Sequence, residues 1–151
     1  MTRIIIAEDE MINLQVLKSQ LAEEGQGIID RCDFCFNGQE AIDQAKKVMT
    51  DGVDAETGWS ASIMPVCLML LDFQMPRKNG IQVVEQVRRY VQQYNDNANT
   101  IVQLREPVFV FLTAHTSRTF KNHLHGLKVG GVYEKPLQQE KLKDILQLVD
   151  D

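Results

Sequence analysis

Val66-Cys67-Leu68-Met69-Leu70-Leu71-Asp72, followed by Phe73-Gln74-Met75-Pro76, is the stretch that decides the fold. A short, unbroken apolar run without alternation is the pattern of a strand covered on both faces, as in the middle of a parallel sheet. Pro76 and the Arg77-Lys78-Asn79-Gly80 that follows stop the strand and turn the chain. Asp72 is therefore expected at the carboxyl end of a central strand, the edge where open α/β sheets hold their ligands. A carboxylate is costly to bury there unless a cation meets it. The remaining sequence is read for what surrounds it.

Outward from this strand, the chain alternates. Ile81, Val84, Val87 and Val91 predict a helix after it, with Arg88 and Arg89 on the outer side. Pro107 to Thr113 repeats the all-apolar pattern, and Asn95 to Glu106 before it reads as a polar surface excursion. A weaker helix from Ser117 to Val129, a short strand at Val132-Tyr133-Glu134 and an amphipathic helix from Glu140 to Val149 complete this half. Toward the N-terminus, Thr50 to Pro65 has turn and loop composition, with Trp59 expected to pin it to the body. Arg3 to Ala7 is a first strand, closed by Glu8-Asp9-Glu10. Ile12, Val16, Leu17 and Leu21 then recur at helical spacing until Gly25 and Gly27. Ile28 to Phe36 is expected to be the second strand, Asn37-Gly38 a turn, and Gln39 to about Met49 the second helix. This alternation predicts a single domain over residues 1–151, a flavodoxin-like doubly wound parallel sheet of five strands in the order 2-1-3-4-5, with helices on both faces.

Composition excludes several classes. At 151 residues, 44% apolar and 25% charged, the chain has the make-up of a globular domain. A net charge of -5 without a basic run argues against a direct nucleic-acid partner. No apolar stretch is long enough to span a bilayer, and the N-terminus has no basic-then-apolar signal pattern, which points to the cytosol. Cys32 and Cys35 have the CxxC spacing of a redox pair or half a zinc site. An odd separation along a strand, however, puts the two on opposite faces. With no second pair, and Cys67 inside the central run, all three read as small core hydrophobes.

In a parallel sheet, the residues that follow each strand share one edge. Here they are Glu8-Asp9, Asp72, Thr113-Ala114 and Lys135-Pro136, which brings three carboxylates, a hydroxyl and one ammonium to a single cleft. Clustered carboxylates raise one another's pKa unless a cation is shared. Hard oxygen ligands suit magnesium, with manganese as a substitute. A carboxylate beside such a metal and Lys135 is placed to accept a phosphoryl group, with Thr113 donating to one of its oxygens. The implied reaction class is phosphoryl transfer through an aspartyl phosphate. Taken singly, each element has a bland reading: an acidic helix start, a strand end, a solvated lysine. Jointly they do not. His115, His123 and His125 lack metal-ligand spacing with these carboxylates and read as surface residues, with His115 near the mouth of the site.

At this point the chain resembles a receiver (response-regulator) domain of two-component phosphorelay signalling over essentially its whole length. Ile6-Ala7-Glu8-Asp9-Glu10-Met11-Ile12-Asn13 is similar to the family's acidic-pair opening, with Asn13 as in receivers of hybrid histidine kinases. Asn37-Gly38-Gln39-Glu40-Ala41 matches the NGxEA turn, and Asp72 to Gly80 the DxxMPxxxG phosphoacceptor motif; Thr113-Ala114 and Lys135-Pro136 complete the set. The resemblance implies that Asp72 is the phosphoacceptor. It implies magnesium held by Asp9, Asp72 and the Gln74 backbone carbonyl, with Glu8 acting directly or through water. It implies Lys135 pairing with the phosphoryl group, and Thr113 and the Ala114 backbone amide binding its oxygens. The donor would be a phosphohistidine on a histidine kinase or a histidine phosphotransfer protein. Such a domain catalyses its own phosphorylation and slow hydrolysis, so whether it is an enzyme is a matter of definition.

The sequence departs from the family in one respect. The aromatic usually found three positions before the lysine is Val132 here, and Tyr133 follows it. A one-residue offset along a strand reverses the face. Three other functions compete. A haloacid-dehalogenase-type phosphatase would need a second aspartate two residues after Asp72, where Gln74 stands. A degenerate receiver serving as a phosphorylation-independent interaction module would have no need of the acidic pair, Asp72, Thr113 and Lys135 together. A nucleotide-binding relative would need a Gly-rich phosphate loop, which is absent.

Overall fold

The computed structural model describes residues 2–54, 61–97, 101–114, 122 and 124–149. Its central sheet is all-parallel. β1 (Arg3–Ala7), β2 (Cys32–Cys35), β4 (Val66–Asp72), β6 (Val108–Thr113) and β7 (Gly131–Glu134) lie in the order β2-β1-β4-β6-β7. This is the predicted 2-1-3-4-5 arrangement once two short extra strands, β3 (Ala61–Ile63) and β5 (Val102–Leu104), are counted. β4 is buried along all of its length, as its unbroken apolar run requires.

Alternate residues of the strands divide the core. Ile5, Ala7, Met69, Leu71, Phe109 and Phe111 pack under α3 (Gly38–Asp54) and α4 (Gly80–Asn95). Ile4, Ile6, Leu68, Leu70, Val110 and Leu112 pack under α1 (Met11–Glu23) and the last helix, α5 (Gln139–Gln147). The helices thus cover both faces of the sheet. Among the described residues, no helix is long and apolar enough to cross a membrane.

Four expectations are corrected. The stripe of α1 that reaches the core is Leu14, Leu17 and Leu21, whereas Ile12 and Val16 are 79% and 48% exposed. A helix with a 3.6-residue period has room for one such stripe, and Leu14 rather than Ile12 stands in register with Leu17 and Leu21. Residues 28–31 are not strand. Gly25, at φ 124°, turns the chain into a short helix, α2 (Gln26–Ile29), from which Ile28 and Ile29 reach the core, and only Cys32–Cys35 pairs with β1. The helix expected to stop near Met49 runs on to Asp54, because Gly52 lies against the Pro65 ring and Val53 still contacts the core.

The fourth concerns the two excursions. Each contributes a strand, and β3 and β5 pair in parallel as a separate two-stranded sheet. Val102 and Leu104 are buried, and the Asn95 side chain at the end of α4 bonds both the N–H and the C=O of Leu104 at 2.8 Å. Trp59, His115, His123 and residues 117–121 of the predicted 117–129 helix lie outside the described residues, which include a 3₁₀ turn at His125–Leu127.

Candidate functional site

The carboxyl edge of the sheet is built by register. Asp72 pairs with Leu112, one residue before Thr113, and Thr113 pairs with Glu134, one residue before Lys135. The Lys135 N–H donates to the Thr113 carbonyl at 2.9 Å, and the Lys135–Pro136 peptide is cis. Glu8 follows β1 directly, and its N–H donates to the Cys35 carbonyl at 3.0 Å. The ends of β1, β4 and β7 therefore deliver Glu8, Asp72 and Lys135 to one point, with β6 lying between β4 and β7.

Lys135 Nζ lies 2.9 Å from Glu8 Oε2 and 3.0 Å from Asp72 Oδ2. Both carboxylates are nearly fully buried, at 1% and 7% side-chain exposure, while Lys135 keeps 20%. The second oxygen of each carboxylate is held by backbone. Asp72 Oδ1 accepts the Gln74 N–H at 3.2 Å, and Glu8 Oε1 accepts the Glu10 N–H at 3.1 Å. Burial pushes the Asp72 carboxyl up to about 7, against the pull of Lys135, and the field of Glu8 and a hydrogen bond to Asp9 add to the rise. Burial alone would lower the Lys135 ammonium, but hydrogen bonds to Glu8 and Asp72 outweigh it and raise its pKa.

One ammonium thus serves two buried carboxylates, with more acid close by. Carboxylate oxygens of Glu8, Asp9 and Glu10 lie within 4.8 Å of one another, and Asp9 and Glu10 are exposed at the mouth. This surplus of negative charge, made entirely of hard oxygen donors, fits a divalent cation of the magnesium type. Glu10 is an addition to the predicted set. Its clue was adjacency to Glu8 and Asp9, which a strand reading discounts and the sharp turn into α1 restores. Thr113 is buried beside Asp72, Ala114 is exposed beyond it, and Gln74 sits at the rim, where its N–H rather than a side chain meets Asp72.

The remaining candidates separate as their sequence positions require. Val132 packs with the α3/α4 side of the core and Tyr133 with the α1/α5 side, so the aromatic stands on the reversed face. Cys32 and Cys35 likewise fall in opposite core layers, and all three cysteines are buried and free. Burial raises the Cys32 thiol to about 11 and the Cys35 thiol to about 12.

Known proteins share this fold. No protein-family model matches the chain. Over 144 residues it is 27% identical to the osmosensing histidine protein kinase SLN1 of Saccharomyces cerevisiae, covering 95% of this chain and 10% of that protein. Over 143 residues it is 23% identical to the signal transduction histidine-protein kinase BarA of Shigella flexneri, covering 95% of this chain and 12% of that one. The chain therefore spans about a tenth of the length of the curated relatives it matches. Among solved structures, it superposes on a chain of the co-crystal of the S. cerevisiae histidine phosphotransfer protein Ypd1 with the receiver domain of Ssk1. The TM-score is 0.71 at 24% identity, over 98% of this chain and 88% of that one. A chain of the CheX–CheY–BeF3–Mg complex from Borrelia burgdorferi gives a TM-score of 0.68 at 17% identity, over 98% and 88%. At these identities the structural likeness carries the fold.

Proposed function

We propose that the chain is a receiver domain of the two-component phosphorelay type, as its likeness to the histidine kinases and receiver structures supports, and that it accepts a phosphoryl group on Asp72 from a phosphohistidine. The observation that carries this is the Asp72 carboxylate itself, buried at a strand end between the Lys135 ammonium and the Gln74 N–H. A buried carboxylate so held has one fixed orientation and little solvent to reorganise when it attacks.

In the transfer, an Asp72 oxygen attacks phosphorus as the P–N bond to the donor imidazole breaks, and the imidazole leaves with the electron pair and takes up a proton. Lys135 remains close enough to follow the phosphoryl oxygens as the negative charge moves from the carboxylate to them. The Thr113 hydroxyl and the Ala114 amide would take two of these oxygens, and the small Ala114 leaves room for them. Glu8, Asp9, Asp72 and the Gln74 carbonyl would hold magnesium, which when bound supplies positive charge to the same oxygens. Asp9, at the exposed mouth, would meet it first.

The donor belongs to the class of histidine kinases or histidine phosphotransfer proteins, like the Ypd1 found with the Ssk1 receiver, and a cytoplasmic setting belongs to the same proposal. The added charge would shift the population between two surface conformations. One observation favours a second reading, a phosphorylation-independent binding module: Tyr133 is packed toward α1 and α5, away from the face that Val132 occupies.

Intact mass spectrometry after incubation with acetyl phosphate and magnesium tests the proposal. A single magnesium-dependent phosphoryl adduct, absent from Asp72→Asn, is expected. No adduct, together with no rise in melting temperature on adding beryllofluoride and magnesium, would leave the binding module in its place.

A further inference from the structure

The Asn37-Gly38 turn belongs to another crossover than Asp72, yet it touches the loop that leaves Asp72. Gly38 is buried at the start of α3. A Cβ built on it would lie 2.0 Å from the Lys78 carbonyl oxygen, 2.7 Å from its carbonyl carbon and 2.6 Å from its Cβ. Two of these three atoms are main chain, so no side-chain rotation relieves the overlap. Gly38 has no left-handed φ, so glycine is required here for space rather than for torsion. The turn is itself held firmly: Asn37 Oδ1 accepts the Glu40 N–H at 2.8 Å, and Glu40 Oε2 accepts the Phe36 N–H at 2.7 Å.

The loop has a fixed base and a leaning limb. At the base, the Phe73 N–H donates to the Leu112 carbonyl at 2.8 Å and the Gly80 N–H to the Phe73 carbonyl at 3.0 Å. In the limb, Arg77 takes a left-handed φ of 68°, the Lys78 N–H donates to the Pro76 carbonyl at 2.9 Å, and Lys78 comes to rest on Gly38. Between base and limb sits Gln74, whose N–H holds Asp72 Oδ1.

We propose that Gly38 is a positioning residue for phosphoryl acceptance: by admitting the Lys78 backbone it sets the path of the 73–80 loop, and with it the Gln74 backbone that meets Asp72. This role rests on Asp72 being the acceptor. Gly38→Ala forces the Lys78 carbonyl outward. Arg77→Gly added to it lets the loop absorb that displacement at residue 77, where glycine accepts many torsions, instead of at Gln74.

Two measurements on the full chain decide it. Without magnesium, ¹H–¹⁵N spectra of Gly38→Ala should show shifts concentrated at Gln74–Gly80, with the β1 and β6 amides unmoved. With magnesium and acetyl phosphate, the adduct should form about tenfold more slowly, within the roughly 100-fold that a misplacement of about 1 Å can cost. Arg77→Gly in the same chain should recover part of that loss. Unmoved 74–80 amides, a wild-type rate in Gly38→Ala, or strictly additive effects of the two substitutions would overturn the role. If Gly38→Ala does not fold, the double variant is compared with Arg77→Gly, and identical 74–80 amides in that pair overturn it equally. A wild-type chain that takes no adduct removes the acceptor reading instead, a failure seen before any variant is compared.

Discussion

The two ends of the central sheet are organised on opposite principles. At the carboxyl edge, few residues carry the structure and each is polar: Glu8, Asp72 and Lys135 form one linked cluster, closed underneath by backbone N–H groups. At the amino edge, β3 and β5 precede β4 and β6 and repeat their parallel pairing in miniature. There the holding forces are burial of Val102 and Leu104 and the amide of Asn95, which bonds the outer edge of β5 as a neighbouring strand would. The first edge is electrostatically strained and suited to chemistry. The second is satisfied and suited to being left alone.

That contrast can be broken from either side. The largest effect is expected at the chemical edge. Lys135→Met removes the one ammonium facing two buried carboxylates, and without metal at pH 8 it should cost about 3–5 kcal/mol in urea unfolding. At pH 5 the loss should shrink, because the Asp72 carboxyl, raised to about 7, can hold a proton in place of facing the ammonium. An equal loss at both pH values would mean that Lys135 contributes packing rather than charge.

At the other edge, Leu104→Ala should cost about 2–5 kcal/mol as a core truncation, with the rate of Asp72 phosphorylation unchanged per folded molecule. A slowed rate would show that the two ends are coupled. Asn95→Ala strips the Leu104 N–H and C=O of their side-chain partner and should cost about 1–2 kcal/mol.

The pH dependence sharpens the difference further. Burial raises the Asp72 carboxyl from the ordinary 3.8 to about 7, so between those values the native chain keeps a proton that the unfolded chain has released. Its contribution is complete below pH 4 and is lost as the pH rises toward 7. Without metal, the urea midpoint should fall across this window, and Asp72→Asn should flatten the fall. A slope unchanged in Asp72→Asn would assign it to another group. The smallest effect is chemical: with thiols raised to about 11 and 12 and buried, Cys32 and Cys35 should resist alkylation at pH 8 until urea unfolds the chain.

How much could be read beforehand divides along the same line. The site was legible because its parts are residue types with few other uses at strand ends, and parallel pairing sends every strand's successor to one edge. Asp72, Lys135, Glu8 and Thr113 could therefore be placed together before any coordinates. Ile12 and Val16 were misassigned because two apolar stripes on one helix look alike in sequence, and only the docked sheet selects Leu14, Leu17 and Leu21. The β3–β5 pair was hidden because three-residue strands carry almost no periodicity, and their neighbours Asp51-Gly52 and Asn95-Asp96 suggest turns. Gly38 was read as a turn glycine, whereas its requirement for space comes from Lys78, forty residues away in the chain.

The sequence by itself determined the alternation of strands and helices, the sheet order that follows from it, and which polar side chains meet at the carboxyl edge. These depend on hydrophobic pattern and on the direction of parallel strands, both local or topological properties. The tertiary structure alone decided which α1 stripe is buried, that two loop segments pair at the amino edge of the sheet, that Lys135 divides itself between Glu8 and Asp72, and that Lys78 rests on Gly38. Each of these is a contact between distant segments, settled by which packing leaves the least apolar surface in water and the fewest buried polar groups unpaired.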